Sequence, residues 1–517
     1  MNLPEEPQSD RQQPAEQTKS VLPEDPLARR RRLRIVSLIV ACAMFMEQLD
    51  GTVLATALPA MARSFGTEPL RMNVALTSYL LSLAVFIPVS GTIADRFGAR
   101  TVFRSAILLF TLGSILCGLS DSLAMLIGSR ILQGVGGAMM VPVGRLVLLR
   151  TATKAELVAA MVFLMIPATI GPILGPPLGG FLVTYLNWRW IFYINVPVGV
   201  AGLIAATLFI EEMRFPAQSK FDWIGFVLSG TALASLIFGI EMATRGVGQL
   251  GVTATLFIGG VVAAVLYFRH SRGRDDPILD FTLMRVPTFA ISVVAGGFSR
   301  IAVGAMPFLL PMMLQLGFGM TAAESGSTTL AMAVGSLAMR PCARAILRRL
   351  GFRWTMIWVG ALATSIFALC AAFRPAWPYP ALVTVLFLGG FFQSLQFMAY
   401  NTICYADIPR LRMSRATSFY TTFQQICLSL GIATAAATLG AATAASGHAE
   451  PNLRDFSFAF VVVSAIALLA PVISTRLDVD AGAELTGQRR RRASEPAMPD
   501  SRPATIAVAS PSGQPSA

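Results

Sequence analysis

The chain has 517 residues, of which 54% are apolar and only 13% are charged, and its formal net charge is +13. A soluble domain carries about 25% charged residues, so this composition excludes a soluble domain and predicts a membrane protein with many spans. The basic residues stand in short connections between apolar runs, which is typical of membrane topology rather than of nucleic-acid binding. The six cysteines lie within apolar runs, so neither disulfides nor a thiol metal site is indicated.

Composition and hydropathy divide the chain into five segments. Residues 1–34 and 477–517 are rich in proline, serine and polar residues, and we expect both to be disordered cytoplasmic tails. Apolar runs of about 20 residues, the length that crosses a bilayer, predict fourteen transmembrane helices between the tails. Six helices lie in residues 35–212 and six in residues 288–476, and residues 213–287 add two more with their linkers. The predicted fold class is an all-α membrane protein.

The distribution of arginine predicts the orientation of these helices. Arginine and lysine accumulate in cytoplasmic loops, and the connections after the second, eighth and tenth spans are rich in arginine, whereas the alternate connections hold few. Both termini are therefore predicted to be cytoplasmic. Two of the basic connections also align, because Gly91–Arg100 matches Arg344–Arg353 and places Gly98 opposite Gly351. This internal repeat indicates two parallel six-span halves with a two-span insertion.

Two carboxylates interrupt the first predicted span. Glu47 and Asp50 lie three residues apart, so they share one face of a helix. A charge near the bilayer centre costs at least about 2.5–3.5 kcal/mol, and such residues face protein or water rather than lipid. We interpret Asp50 as the residue that gains and loses a proton. Glu47, one turn deeper, is the alternative proton carrier or a contact for cationic substrates.

The fourth predicted span contains Arg130, followed by Gln133 on the same side of the helix. At 1.5 Å per residue, Arg130 lies about 10 Å and Asp50 about 8 Å from the external ends of their spans. The similar depth predicts a direct or water-mediated pair in at least one state of the protein. A helix movement that separates the two residues would then change the proton affinity of Asp50. The alternative is that Arg130 extends to the membrane surface.

The connection after the second span holds a group of charged and small residues. We expect Gly91 to permit close helix contact and Gly98 to adopt a positive backbone angle. Asp95, with Arg96 and Arg100, is interpreted as a conformational latch that forms in only one arrangement of the two halves. The alternative is a charged loop that simply obeys the rule for cytoplasmic loops.

The fifth predicted span is dense in glycine and proline. Gly171, Gly175 and Gly179 recur every four residues along one ridge, while Pro176 removes a backbone donor and Gly180 adds a further small residue. A glycine ridge lets another helix approach closely. The pattern predicts a surface that opens and closes, although a permanent helix contact would need the same residues.

The second half offers weaker candidates for substrate contact. Arg300 lies within the ninth span beside several glycines, and Phe392, Gln396 and Tyr400 lie in the twelfth. These four residues, with Glu47 and Gln133, are predicted to line a cavity for an amphipathic substrate. The alternative for the aromatic residues is plain helix packing.

Several of these motifs resemble those of one family. The matching residues are Leu49–Pro59 in the first span, Gly91–Arg100 in the following connection, Arg130, Gln133, Gly134, Gly136 and Ala138 in the fourth span, Gly171, Gly175, Pro176, Gly179 and Gly180 in the fifth, and Trp188–Gly199. Over most of residues 35–475 the chain resembles the major facilitator superfamily, in particular its fourteen-span drug:proton antiporters of the EmrB/QacA type. Thr56 stands where the family usually has asparagine, and Ala99 replaces one basic residue.

The resemblance implies two six-helix bundles around a central cavity, in the inner (plasma) membrane. It implies a proton-coupled antiporter that exports small amphipathic compounds by alternating access. It further implies a monomer that needs no cofactor and whose partners are the lipid bilayer, protons and a small molecule. The alternative is a proton-coupled importer of a small solute on the same fold. An enzyme is disfavoured because the sequence has no HExxH or GxSxG motif.

Overall fold

The computed structural model describes most of the predicted membrane region. The described residues are 26–151, 170–171, 174–211, 221–243, 250–274, 277–409, 412–447 and 450–482. They form helices joined by short turns and contain no strand. Most of the two predicted tails, residues 1–25 and 483–517, lies outside the described residues. The disorder predicted for residues 26–34 is wrong, since the first helix already begins at Pro26.

The helices follow the predicted spans in order. Before the two-span insertion they are α1 (Pro26–Val53), α2 (Leu58–Phe65), α3 (Asn73–Phe86), α4 (Ser90–Phe97), α5 (Ala99–Gly118), α6 (Leu123–Thr151), α7 (174–185), α8 (Trp190–Tyr193) and α9 (Asn195–Phe209). The insertion contains α10 (Trp223–Ala243) and α11 (Leu250–Arg272). The second half contains α12 (Pro287–Met312), α13 (Ala322–Trp354), α14 (Gly360–Leu369), α15 (Tyr379–Ile403), α16 (Met413–Ser446), α17 (Leu453–Ala467) and α18 (Leu469–Ser474).

Helices dominate because a bilayer offers no water to satisfy free backbone groups, so each span must satisfy them internally. In the described part of the chain, 12 helical segments are long and apolar enough to cross a membrane, judged by length and composition. They correspond to every predicted span except the fifth and the tenth. The fifth lies partly outside the described residues, and the tenth is the first part of α13. The total of fourteen remains a prediction.

The two aligned basic connections are mostly helical rather than loops. α4 continues to Phe97, and α13 is helical up to a kink at Gly351. The chain turns at single glycines: Gly98 has φ +90° and Gly351 has φ +72°. Only glycine adopts such angles at little cost. The predicted positive angle at Gly98 is confirmed, and its aligned partner Gly351 has one as well. We call this end of the bundle the arginine-rich end.

The two halves pack together at the opposite, arginine-poor end. There Gln315 Nε2 donates to the backbone oxygen of Thr56 at 3.1 Å, and the backbone N–H of Ala323 donates to Thr184 Oγ1 at 3.0 Å. α16 packs along α3, and α10 of the insertion contacts both of these helices. The insertion therefore covers one seam between the halves.

Candidate functional site

Asp50 lies at the centre of a buried polar network in the first half. Arg130 Nη1 donates to Asp50 Oδ2 at 2.5 Å, and Gln133 Nε2 donates to Asp50 Oδ1 at 2.8 Å. Asn195, at the start of α9, donates to the same Oδ1 at 3.2 Å. The side chains of Arg130 and Asp50 are only 0% and 2% exposed. The polar network therefore joins α1, α6 and α9 around one carboxylate.

Arg130 is held by several groups besides Asp50. Its Nη1 also donates to Gln133 Oε1 at 2.6 Å, and its Nε donates to the backbone oxygen of Ala75 at 3.1 Å. The guanidinium carbon lies 4.2 Å from the ring centre of Tyr79. Charge-assisted hydrogen bonds of this kind are about twice as strong as neutral ones. These contacts fix Arg130 in place even where the contact to Asp50 changes.

Glu47 lies one turn from Asp50 but outside its hydrogen-bond network. It is 8% exposed, and its Oε2 has no hydrogen-bond partner among the described residues. The hydroxyl of Tyr79 is also buried without a partner in the described structure. The first span thus carries one carboxylate with several partners and a second with an unsatisfied oxygen.

The glycine ridge, defined as Gly171, Gly175 and Gly179, packs against the first span. A Cβ at Gly171 would lie 2.8 Å from Gln48 Cβ. A Cβ at Gly175 would lie 2.0 Å from Thr52 Oγ1, and one at Gly179 would lie 2.6 Å from the backbone oxygen of Val53. Such distances leave no room for a side chain. The ridge therefore follows the same helix that carries Asp50, turn by turn.

The other residues of the fifth-span motif face the second half. A Cβ at Gly180 would lie 2.3 Å from the backbone oxygen of Ala322. In return, a Cβ at Gly326 of α13 would lie 2.2 Å from the backbone oxygen of Pro176. The fifth span therefore contacts α1 through the ridge and the second half through Pro176 and Gly180.

The predicted latch residues differ in their exposure and in the groups that they contact. Arg100 donates from Nη2 to the backbone oxygen of Thr207 on α9, and Arg96 is exposed, with its guanidinium carbon 5.7 Å from the ring centre of Phe97. Asp95 is half-buried. The close contact predicted at Gly91 does not form among the described residues, because Gly91 is exposed and a Cβ there would meet no described atom within 4 Å.

The candidates of the second half contact their own half. Arg300 Nη2 donates to the Tyr420 hydroxyl at 2.6 Å, and the Tyr400 hydroxyl lies 2.8 Å from Ser474 Oγ. Gln396 is buried, and its Nε2 lies 2.6 Å from the position of a Cβ on Gly360. Phe392 packs in a cluster formed by α13, α15 and the turn before α14. The structure does not bring these residues together with the Asp50 network.

Sequence reasoning missed Asn195 and Ser114, which complete the network. Gln133 Nε2 donates to Ser114 Oγ at 2.8 Å, and both missed residues are buried. A signal was available, since each is a small polar residue inside an apolar span.

Comparison with known proteins agrees with this fold. Residues 40–432 and 292–510 match the Major Facilitator Superfamily. The chain is 40% identical over 409 residues to "Putative multidrug resistance protein MdtD" of Serratia proteamaculans (strain 568), covering 78% of this chain and 84% of the relative. It is 36% identical over 463 residues to the protein of the same name from Escherichia coli O81 (strain ED1a), covering 88% and 97%.

Solved structures show the same fold at low sequence identity. A D-xylose-proton symporter superposes with a TM-score of 0.61 at 14% identity, covering 86% of this chain and 97% of that one. An auto inhibited POT family peptide transporter gives a TM-score of 0.61 at 17% identity, covering 91% and 99%. The family match, the relatives and the all-helical fold together show that the chain belongs to the major facilitator superfamily and is a membrane transporter rather than an enzyme.

Proposed function

We propose that the protein is a proton-coupled antiporter that exports small amphipathic compounds, with Asp50 as the proton carrier. The observation that supports this proposal is the buried pair of Asp50 and Arg130, which are joined at 2.5 Å inside a membrane-spanning bundle. A buried ion pair contributes little net stability, so a functional role is the better explanation for it. The relatives named for multidrug resistance favour drugs or toxic metabolites as the exported compounds.

Proton binding to Asp50 would weaken its contact with Arg130. Protonation removes the negative charge that attracts the guanidinium, while Gln133 Oε1 and the Ala75 backbone oxygen still hold Arg130. Asp50 and α1 can then move relative to α6 without leaving Arg130 wholly unsatisfied. Because α1 also lies against the glycine ridge, its movement changes the contact with the fifth span. Proton binding to Asp50 is thereby linked to Pro176 and Gly180 of the fifth span, which contact the second half.

Flux measurements in inside-out membrane vesicles test the direction of coupling. The compound is chosen by growth inhibition of a pump-depleted host that expresses the chain, across cationic, neutral and anionic drugs. With an acidic lumen, an antiporter accumulates the compound in the lumen as protons leave, and a protonophore abolishes the accumulation. The importer alternative moves its solute out of the acidic lumen together with protons. Flux in that direction would contradict the proposal.

We propose that both termini are cytoplasmic and that the bilayer is the inner membrane. The support is the concentration of arginine at one end of the bundle. Alkaline phosphatase, which is active only outside the cytoplasm, is expected to be inactive when fused after Arg285. The matched fusion after Arg374, at the arginine-poor end, is expected to be active. Phosphatase activity after Arg285 would contradict the orientation.

A further inference from the structure

The second half contains a buried arginine, Arg300, that has no carboxylate partner among the described residues. Arg300 is 2% exposed, and its Nη2 donates a hydrogen bond to the Tyr420 hydroxyl at 2.6 Å. Its Nε is buried and has no hydrogen-bond partner in the described structure. Among the described residues, no aspartate or glutamate forms an ion pair with Arg300. Within the described part of the chain, the guanidinium therefore retains both a free donor and an uncompensated positive charge.

The comparison with Arg130 shows how unusual this arrangement is. Arg130 is similarly buried, and its Nη2 also has no partner in the described structure, but its other donors contact a carboxylate, an amide oxygen and a backbone oxygen. Burying a charge without a partner costs several kcal/mol. Arg300 lies over the rings of Phe397 and Tyr420, at 5.2 Å and 4.7 Å from their centres. Such cation–π contacts offset only part of that cost, so an anion would still bind favourably.

Arg300 is surrounded by backbone on one side and by aromatic rings on the other. Its Nη1 lies 2.5 Å from the position of a Cβ on Gly296, so the guanidinium rests directly on the backbone of α12. Phe397, Tyr405 and Phe423 are only half-buried. The rings of Tyr405 and Tyr420 lie 5.9 Å apart. A positive group therefore lies behind aromatic rings that are partly accessible.

We propose that Arg300 binds the negatively charged group of transported compounds and that the aromatic residues around it hold their apolar body. The substrates then include organic anions that carry an aromatic ring. The planar guanidinium matches the paired oxygens of a carboxylate, sulfonate or phosphate. This inference rests on the proposed function in one respect, since it treats the bound compound as the one that is transported. Binding itself needs no proton gradient.

Equilibrium binding to the purified full chain in lipid nanodiscs tests the site. Naphthalene-2-sulfonate carries a permanent negative charge, and naphthalene-2-sulfonamide is its neutral isostere. A hydrogen-bonded charge contact is worth about 1.5–3 kcal/mol, so calorimetry is expected to show the sulfonate binding at least about tenfold more tightly. Equal affinities, or a preference for the neutral compound, would overturn the proposal without any need for a variant.

Variants then assign the preference to Arg300. Arg300→Gln is expected to remove the preference for the sulfonate, with a much smaller change in the affinity for the sulfonamide. Gly296→Ala keeps every charge but displaces the guanidinium, so it should weaken sulfonate binding as well. Arg340→Gln, which removes an exposed arginine of α13, is the matched control and should bind the sulfonate like the wild type. Size-exclusion profiles establish that each variant is folded.

Two results separate this proposal from the proton-coupling proposal. An unchanged sulfonate preference in folded Arg300→Gln would overturn the anion site and leave coupling through Asp50 untouched. Conversely, Asp50→Asn is expected to keep the sulfonate preference, because Asp50 lies in the other half. A protein that binds the sulfonate through Arg300 but shows no gradient-driven flux would contradict the antiport proposal alone.

Discussion

Asp50→Asn is expected to reduce pH-gradient-driven export to the background of vesicles without the protein. The amide has nearly the shape of the carboxylate but cannot titrate, so substrate binding should persist while coupling is lost. Its single oxygen cannot serve Arg130, Gln133 and Asn195 together as the carboxylate does. Loss of one partner of a buried ion pair costs about 3–5 kcal/mol, so thermal unfolding should also occur at a lower temperature.

The controls for this experiment are two further carboxylate variants. Asp121→Asn removes a side chain that is 90% exposed and pairs with Arg189, and it should retain full coupling. Glu47→Gln tests the neighbouring buried carboxylate. If Asp50→Asn shows gradient-driven accumulation and Glu47→Gln does not, Glu47 is the proton carrier instead of Asp50. Coupling in both variants would mean that the proton path runs outside the first span.

Gly175→Leu is expected to abolish transport without preventing membrane insertion. A Cβ at this position would already lie 2.0 Å from Thr52 Oγ1, and leucine adds three further carbons. The side chain would force the fifth span away from α1, and the contact of Pro176 and Gly180 with the second half would shift with it. Export assays report transport, and fluorescence-detected size exclusion of a tagged chain reports insertion and folding.

Two companion variants make the test specific to the contact. Gly128→Leu, in α6 of the same half, is the matched control because a Cβ there meets no atom within 4 Å, and it should transport normally. Gly175→Ala should impair export, and Thr52→Ala in the same chain should restore part of it by removing the hydroxyl from the crowded position. Full export by well-folded Gly175→Leu would contradict a close contact at the ridge.

The pair formed by Asp50 and Arg130 could be predicted because depth in a helix follows from residue number. Each residue adds about 1.5 Å, so two charged residues on different spans can be compared without knowing the fold. The contact of Asn195 could not be predicted in this way. Its contact depends on which face of α9 turns toward α1, and an apolar span with a single asparagine carries little information about rotation.

The glycines likewise show that a local backbone angle can be predicted from the sequence, whereas a contact between helices cannot. The positive φ of Gly98 follows from the local need to turn between two helices. The predicted contact at Gly91 required a neighbouring helix, and none of the described helices approaches it. The ridge in the fifth span was visible as a spacing, whereas its partner, the first span, became known only from the structure. Likewise, nothing in the sequence around Arg300 indicated Tyr420, which lies far along the chain.

The neutrality of the buried network has an electrical consequence. While Asp50 and Arg130 are both ionised, their charges cancel, so the membrane voltage exerts little net force on the pair. A proton on Asp50 leaves the charge of Arg130 uncompensated within the bilayer. The free energy of that charge changes by about 2.3 kcal/mol for each 100 mV across the full membrane. In the proposed mechanism, the proton-loaded network should therefore respond to voltage, while the unloaded network should be almost indifferent to it.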